Sequence, residues 1–254
     1  MNNTTRIKTL TAATLLLAGT TFTSNAAPVA QGASEMTQQQ PVSDTLSARQ
    51  KAIPVIASLM ASSQMEKLNV ALNQGLNDGL TVNETKEILV QLYAYTGFPR
   101  SLNALNELMK VVETRRLQGI TDIEGKEPVS PVPVGDELRR TGTANQTKIS
   151  GGPVQGPLFD FAPVINQFLQ THLFGDIFAR DNLDWQSREL ATVGALAATP
   201  GVESQLLSHT RASLRVGLTA GQLRQLAQVL REHDEQDAAT RAENALRQAL
   251  ADAR

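Results

Sequence analysis

The chain of 254 residues contains no cysteine. That removes disulfide staples, thiolate metal ligands, redox pairs and a sulfur nucleophile at once. Aromatic residues make up 4% of the chain, and no basic-aromatic stripe or glycine-rich phosphate loop is present, so neither nucleic acid nor a nucleotide is an expected partner. There are three histidines, His172, His209 and His233. No two of them are three or four residues apart, so no helical metal pair is expected. Neither a metal nor an organic cofactor is expected. The formal net charge is −2, which again disfavours a polyanionic partner.

Long apolar runs are also lacking, apart from a short one at the start. In "MNNTTRIKTLTAATLLLAGTTFTSNAAPVA", Arg6 and Lys8 precede the apolar stretch Leu10 to Ala18, and Ser24-Asn25-Ala26 supplies small residues for cleavage. This order reads as a secretory signal peptide over residues 1–26, too short to stay in a bilayer as a spanning helix. The expected location is periplasmic or secreted, with no membrane contact after processing. Residues 27–45 are polar and poor in large apolar side chains, and read as a flexible arm.

What remains is rich in Ala, Leu, Gln and Glu, a composition that favours helix. Two stretches match each other at an offset of 137 to 138 residues. One begins "LSARQKAIPVIASLMASSQMEKLNVALNQGLNDGLTVNETKEIL" at Leu46, the other "LDWQSRELATVGALAATPGVESQLLSHTRASLRVGLTAGQLRQLA" at Leu183. Ser47 with Gln50 forms a capping box, and Asp184 is an N-cap at the matching place. Helix breaks are expected at Ser62-Ser63 and at Thr199-Pro200-Gly201, with glycine C-caps at Gly79 and Gly217. Thr81 with Glu84, and Thr219 with Gln222, open a third helix in each copy. The expected organisation is a first repeat over 46–116, a Pro/Gly-rich connector over 117–157, a second repeat over 158–232, and a charged, solvated helix over 233–254 that can also pack on a neighbouring subunit.

The segments "LFGDIFARDNLDWQSRELATVGALAA", "SQLLSHTRASLRVGLTAGQL" and "LVQLYAYTGFPRSLNAL" resemble the carboxymuconolactone decarboxylase family, within the alkylhydroperoxidase-like superfamily. The resemblance covers roughly residues 46–232. It implies an all-α fold of two tandem helical repeats packed as one unit, assembling as a homo-oligomer, a trimer or a hexamer. Within that superfamily the peroxide-reducing branch uses a C-x-x-C pair followed by a histidine. The cysteine positions fall here on Val202 and Gln205 and the histidine on His209, so thiol peroxidase activity lacks its nucleophile. The decarboxylase branch works without those sulfurs on a small lactone bearing carboxylates.

The second copy has Glu189 and His209 where the first has Ala52 and Ala71. A histidine with an ordinary pKa of about 6.5 takes and returns a proton near neutrality, and a hydrogen-bonded carboxylate would orient its ring. His209 and Glu189 are therefore the candidate acid/base pair. Gln205, one turn before His209, is a candidate for holding a substrate oxygen. Arg188, Arg211 and Arg100 are candidates for a substrate carboxylate, and Phe98 for a pocket wall. The expected function is cofactor-free decarboxylation, lactone opening or isomerisation of a small carboxylate or lactone. The alternative is a non-catalytic oligomeric binding protein of the same fold.

Overall fold

The computed structural model describes residues 43–252. The signal peptide and most of the arm fall outside the described residues. The fold is all-α, with no strand among the described residues. In chain order the helices are α1 (Ala48–Ala61), α2 (Met65–Asn77), α3 (Val82–Gln91), α4 (Tyr93–Thr96), α5 (Phe98–Leu117), α6 (Gly135–Ser150), α7 (Pro157–Phe161) and α8 (Pro163–Phe168). A π-helical segment (Leu169–Ile177) follows, then α9 (Trp185–Ala197), α10 (Glu203–Arg215), α11 (Ala220–Glu232) and α12 (Gln236–Ala251).

The stretch from Leu46 contains the helices α1, α2 and α3, and the stretch from Leu183 contains α9, α10 and α11. Capping boxes close at Ser47/Gln50, Thr81/Glu84 and Thr219/Gln222, while the Asp184 side chain accepts from Ser187 N. Each satisfies backbone N–H groups that a helix start leaves without partners. At the far end of α2, Leu80 N donates to Gly75 O at 2.9 Å and Gly79 N to Leu76 O at 3.3 Å. After α10, Leu218 N donates to Ser213 O at 3.0 Å and Gly217 N to Leu214 O at 3.2 Å. Both are Schellman closures, which need a positive φ at C′, and Gly79 and Gly217 sit there at 97° and 100°.

The core forms where α1 crosses α9. All of α9 from Ser187 to Ala197 is buried, as is α1 from Ala52 to Ala61. A helix buried around nearly its whole circumference has no solvated polar face, so the polar residues of α9, Ser187, Arg188, Glu189 and Thr192, are buried with the rest. Close approach at the crossing depends on Gly194, where an added Cβ would lie 2.6 Å from the Pro54 carbonyl oxygen. A second apolar cluster joins Ile149 of α6 to Leu173, Phe174, Ile177 and Phe178 of the π-helical region and to Ala212 of α10.

Two expectations need correction. The connector is not structureless, because α6 occupies Gly135–Ser150 within it. Its glycine at 142 is required by packing, since a Cβ there would meet the Gln170 carbonyl oxygen at 1.6 Å. The C-terminal helix is not solvated all round either. Ala238, Ala242, Ala245, Leu246 and Ala249 of α12 are buried within the chain's own core. Alanine stripes bury little area per residue but let helices approach closely, so α12 is part of the helical bundle.

Candidate functional site

Helices α9 and α10 form a hairpin reversed at Thr199–Val202, and this reversal brings position 189 beside position 209. His209 Nδ1 and Glu189 Oε2 are 2.9 Å apart. Glu189 is fully buried, whereas the His209 side chain retains 14% exposure. The carboxylate is thus held inside the protein and the ring stands at the edge. With Nδ1 engaged, Nε2 is the ring nitrogen without a protein partner among the described residues. The second carboxylate oxygen, Glu189 Oε1, is buried and makes no hydrogen bond.

Tyr95 of α4 completes the enclosure. Its ring meets the His209 ring edge-on at 5.3 Å and 83°, a favourable aromatic geometry. Its hydroxyl is buried beside the Thr192 hydroxyl and makes no close hydrogen bond. Burial first, and then the negative charge of Glu189, push the phenol's ionisation far above its ordinary range, so the ring stays neutral. A buried polar atom without a partner typically costs about 1–3 kcal/mol, and Glu189 Oε1 is one such atom beside His209, with Asn182 Oδ1 and Arg188 Nε elsewhere in the core. Sequence reasoning did not select Tyr95. Its only signal was membership of the Tyr-x-Gly-Phe-Pro stretch.

His209 lines a cavity of about 240 Å³ between α10 and the end of α6, together with Ile149, Phe174, Arg211 and Arg215. Arg211, selected from the sequence, is therefore beside the imidazole, but its guanidinium is paired with Asp252. Arg215 was not selected. Its side chain donates to the Ile149 carbonyl at 3.4 Å and has no carboxylate partner among the described residues. It is the cavity's uncommitted cation, one turn beyond Arg211 on the same helix.

The other sequence candidates are not gathered there. Arg188 is fully buried and committed to structure. Its Nη2 donates to Glu87 Oε1 and to the Arg180 carbonyl, both at 2.9 Å, and its Nη1 to Gln91 Oε1 at 3.0 Å. Arg180 Nε adds two bonds to the same carboxylate at 3.0 and 2.9 Å. Burial alone would push the Glu87 carboxyl up, but the two guanidinium groups outweigh it and hold it below its ordinary value. Arg188 cannot reach a substrate carboxylate without surrendering Glu87. Gln205 is exposed, bonded to its neighbour Ser204 at 2.9 Å, and one turn short of the residues of α10 that line the cavity. Arg100 is exposed and donates to the Thr96 carbonyl at 3.0 Å. Phe98 is stacked on Tyr93 at 4.2 Å and faces solvent.

The remaining histidines stand elsewhere. His172 pairs with Asp176 at 2.7 Å on the exposed side of the π-helical segment, and His233 caps α11. No group of three or more His, Cys, Asp or Glu residues suited to a metal occurs among the described residues. No described helix is long and apolar enough to cross a membrane.

Residues 163–251 match the model of the carboxymuconolactone decarboxylase family. The matched region runs from α8 through α12, so it contains Glu189, His209, Arg211 and Arg215 and extends past the boundary expected at residue 232. No curated protein matches the chain.

Proposed function

We propose that this carboxymuconolactone decarboxylase-like protein carries out cofactor-free acid/base chemistry on a small carboxylate or lactone, with His209 as the proton carrier. The observation that carries the reading is the 2.9 Å contact between His209 Nδ1 and Glu189 Oε2. A buried carboxylate on Nδ1 fixes the ring's orientation and leaves Nε2 to exchange a proton with a bound molecule. Arg215, and Arg211 once it exchanges Asp252 for substrate, hold a carboxylate by paired ionic hydrogen bonds. Tyr95 holds the ring edge-on and keeps water from its inner face.

For an acid whose carboxylate is conjugated through carbon to a lactone carbonyl, the step balances without a cofactor. The bond from carbon to the carboxylate breaks and carbon dioxide leaves. The electron pair is delocalised onto the lactone carbonyl. The His209 imidazolium gives its proton to the carbon and recovers one from water. Lactone opening and isomerisation use the same carrier with different bonds. The N-terminal segment supports action outside the cytoplasm, in the periplasm or beyond, and the resemblance supports a homo-oligomer.

A second reading is a binding protein that holds the same ligands without turning them over. The cavity of about 240 Å³ is smaller than the roughly 300–1,000 Å³ usual for ligand pockets, so under either reading the ligand is small. One experiment separates the two. The purified protein is screened by thermal shift against lactones and mono- and dicarboxylic acids, and each stabilising compound is then followed for carbon dioxide release or ring change. The acid/base reading expects turnover that His209→Gln abolishes while the thermal shift persists. Turnover unchanged in His209→Gln would overturn it, and stabilisation without any turnover would favour the binding reading.

A further inference from the structure

A second cavity, also of about 240 Å³, opens between α1, α2 and the end of α11. Its walls include Ala52 and Ala71, which stand in the stretch from Leu46 where Glu189 and His209 stand in the stretch from Leu183. With Val55 and Val229 these two small side chains give the cavity an apolar floor, buried in the core.

Three ionised groups stand around that floor unpaired. Lys51 is half-buried and has no carboxylate partner among the described residues. Among the same residues Asp78 holds only the Gln74 amide, at 2.9 Å, and Glu232 only the Gln228 amide, at 2.8 Å. A cation and two carboxylates thus line one cavity without satisfying one another. Asp78 and His233 are also the C-caps of α2 and α11, and helix C-termini add partial negative charge to the carboxylate side.

We propose that this cavity binds a small amino acid, a zwitterion whose carboxylate meets Lys51 and whose ammonium meets Asp78 and Glu232. An acid alone would bring its charge against two carboxylates, and an amine alone would leave Lys51 without a counter-charge. A zwitterion answers both signs through charge-assisted hydrogen bonds. The apolar floor takes the carbon frame, and a volume below the roughly 300–1,000 Å³ usual for ligand pockets keeps that frame short. With alanine at positions 52 and 71 the cavity has no counterpart of the Glu189–His209 pair, so the site holds its ligand without turning it over. The proposal does not depend on the acid/base reading of His209.

Equilibrium dialysis of the full chain against L-valine and against 4-aminobutyrate tests it, with butyrate and butylamine as carriers of one charge each. At least one amino acid is expected to bind about tenfold or more tightly than either control. Lys51→Met, and separately Asp78→Asn with Glu232→Gln, are each expected to weaken that binding about tenfold or more, with an unchanged far-UV circular dichroism spectrum. His209→Gln is expected to leave it intact, which separates this site from the cavity beside the imidazole. Binding of neither amino acid, equal binding of butyrate or butylamine, an affinity unaltered in either cavity variant, or a loss in His209→Gln would each overturn the proposal.

Discussion

Replacing Arg188 with Met keeps most of the side chain's volume and removes its charge from a site with no solvent access. Glu87, itself nearly fully buried, then loses one of its two guanidinium partners. The Gln91 side-chain oxygen and the Arg180 carbonyl each lose a donor. Removing one member of a buried ion pair typically costs about 3–5 kcal/mol, because the other charge stays behind uncompensated. In a domain of this size each kcal/mol moves the melting midpoint by about 2–4 °C, so a fall on the order of 10 °C is expected. Glu87→Gln should cost a similar amount, since it strands Arg188. The double variant should be less destabilised than the two singles added together, with about 2–3 kcal/mol of coupling recovered. Thermal and urea unfolding followed by circular dichroism measure all three. A loss below about 1 kcal/mol in Arg188→Met, or strict additivity in the double variant, would refute the claim that Arg188 is a structural cation, and would reopen the substrate-binding role its sequence position suggested.

Two further expectations follow from the same coordinates. The Glu87 carboxyl is held below its ordinary value in the folded protein, so its contribution is complete above the unfolded value and is lost as pH falls through the depressed one. Stability should therefore decline below roughly pH 4.5, by up to about 1.4 kcal/mol per pH unit for each such carboxylate. Glu87→Gln should flatten that part of the profile, and an equal slope in both proteins would contradict the assignment. Gly194→Ala raises helix propensity by about 1 kcal/mol, yet its Cβ would lie 2.6 Å from the Pro54 carbonyl oxygen. Overpacking costs about 1–3 kcal/mol, so a net loss of stability is expected on denaturant titration. A gain would show that the α1–α9 crossing is looser than described.

Much of the helical framework was legible because it is written in short-range chemistry. The boxes at Ser47/Gln50, Thr81/Glu84 and Thr219/Gln222 are four-residue signals, and the glycines at 79 and 217 satisfy a local backbone demand. Helix α6 escaped notice because its sequence, GDELRRTGTANQTKIS, has few large apolar residues and an interior glycine, and both weaken a periodic pattern. The reason for that glycine lies at Gln170, far along the chain. Helix α12 was read as solvated for a related reason, since its buried face is mostly alanine. At the site, Glu189 and His209 were found together because one hairpin joins them. Arg188 was misjudged because what commits it, Glu87 and Gln91, sits about a hundred residues earlier, and no local rule reports a partner at that distance. Arg215 and Tyr95 were missed for the same reason, each being defined by what surrounds it in space.

The account rests on the state of one imidazole, and nitrogen NMR of His209 reads that state without a substrate. With Glu189 accepting from Nδ1, the neutral ring should carry its proton on Nδ1 and leave Nε2 bare. Glu189→Gln should shift the ring toward the other tautomer. A neutral ring protonated on Nε2 in the unsubstituted protein, unaffected by Glu189→Gln, would contradict the acid/base site.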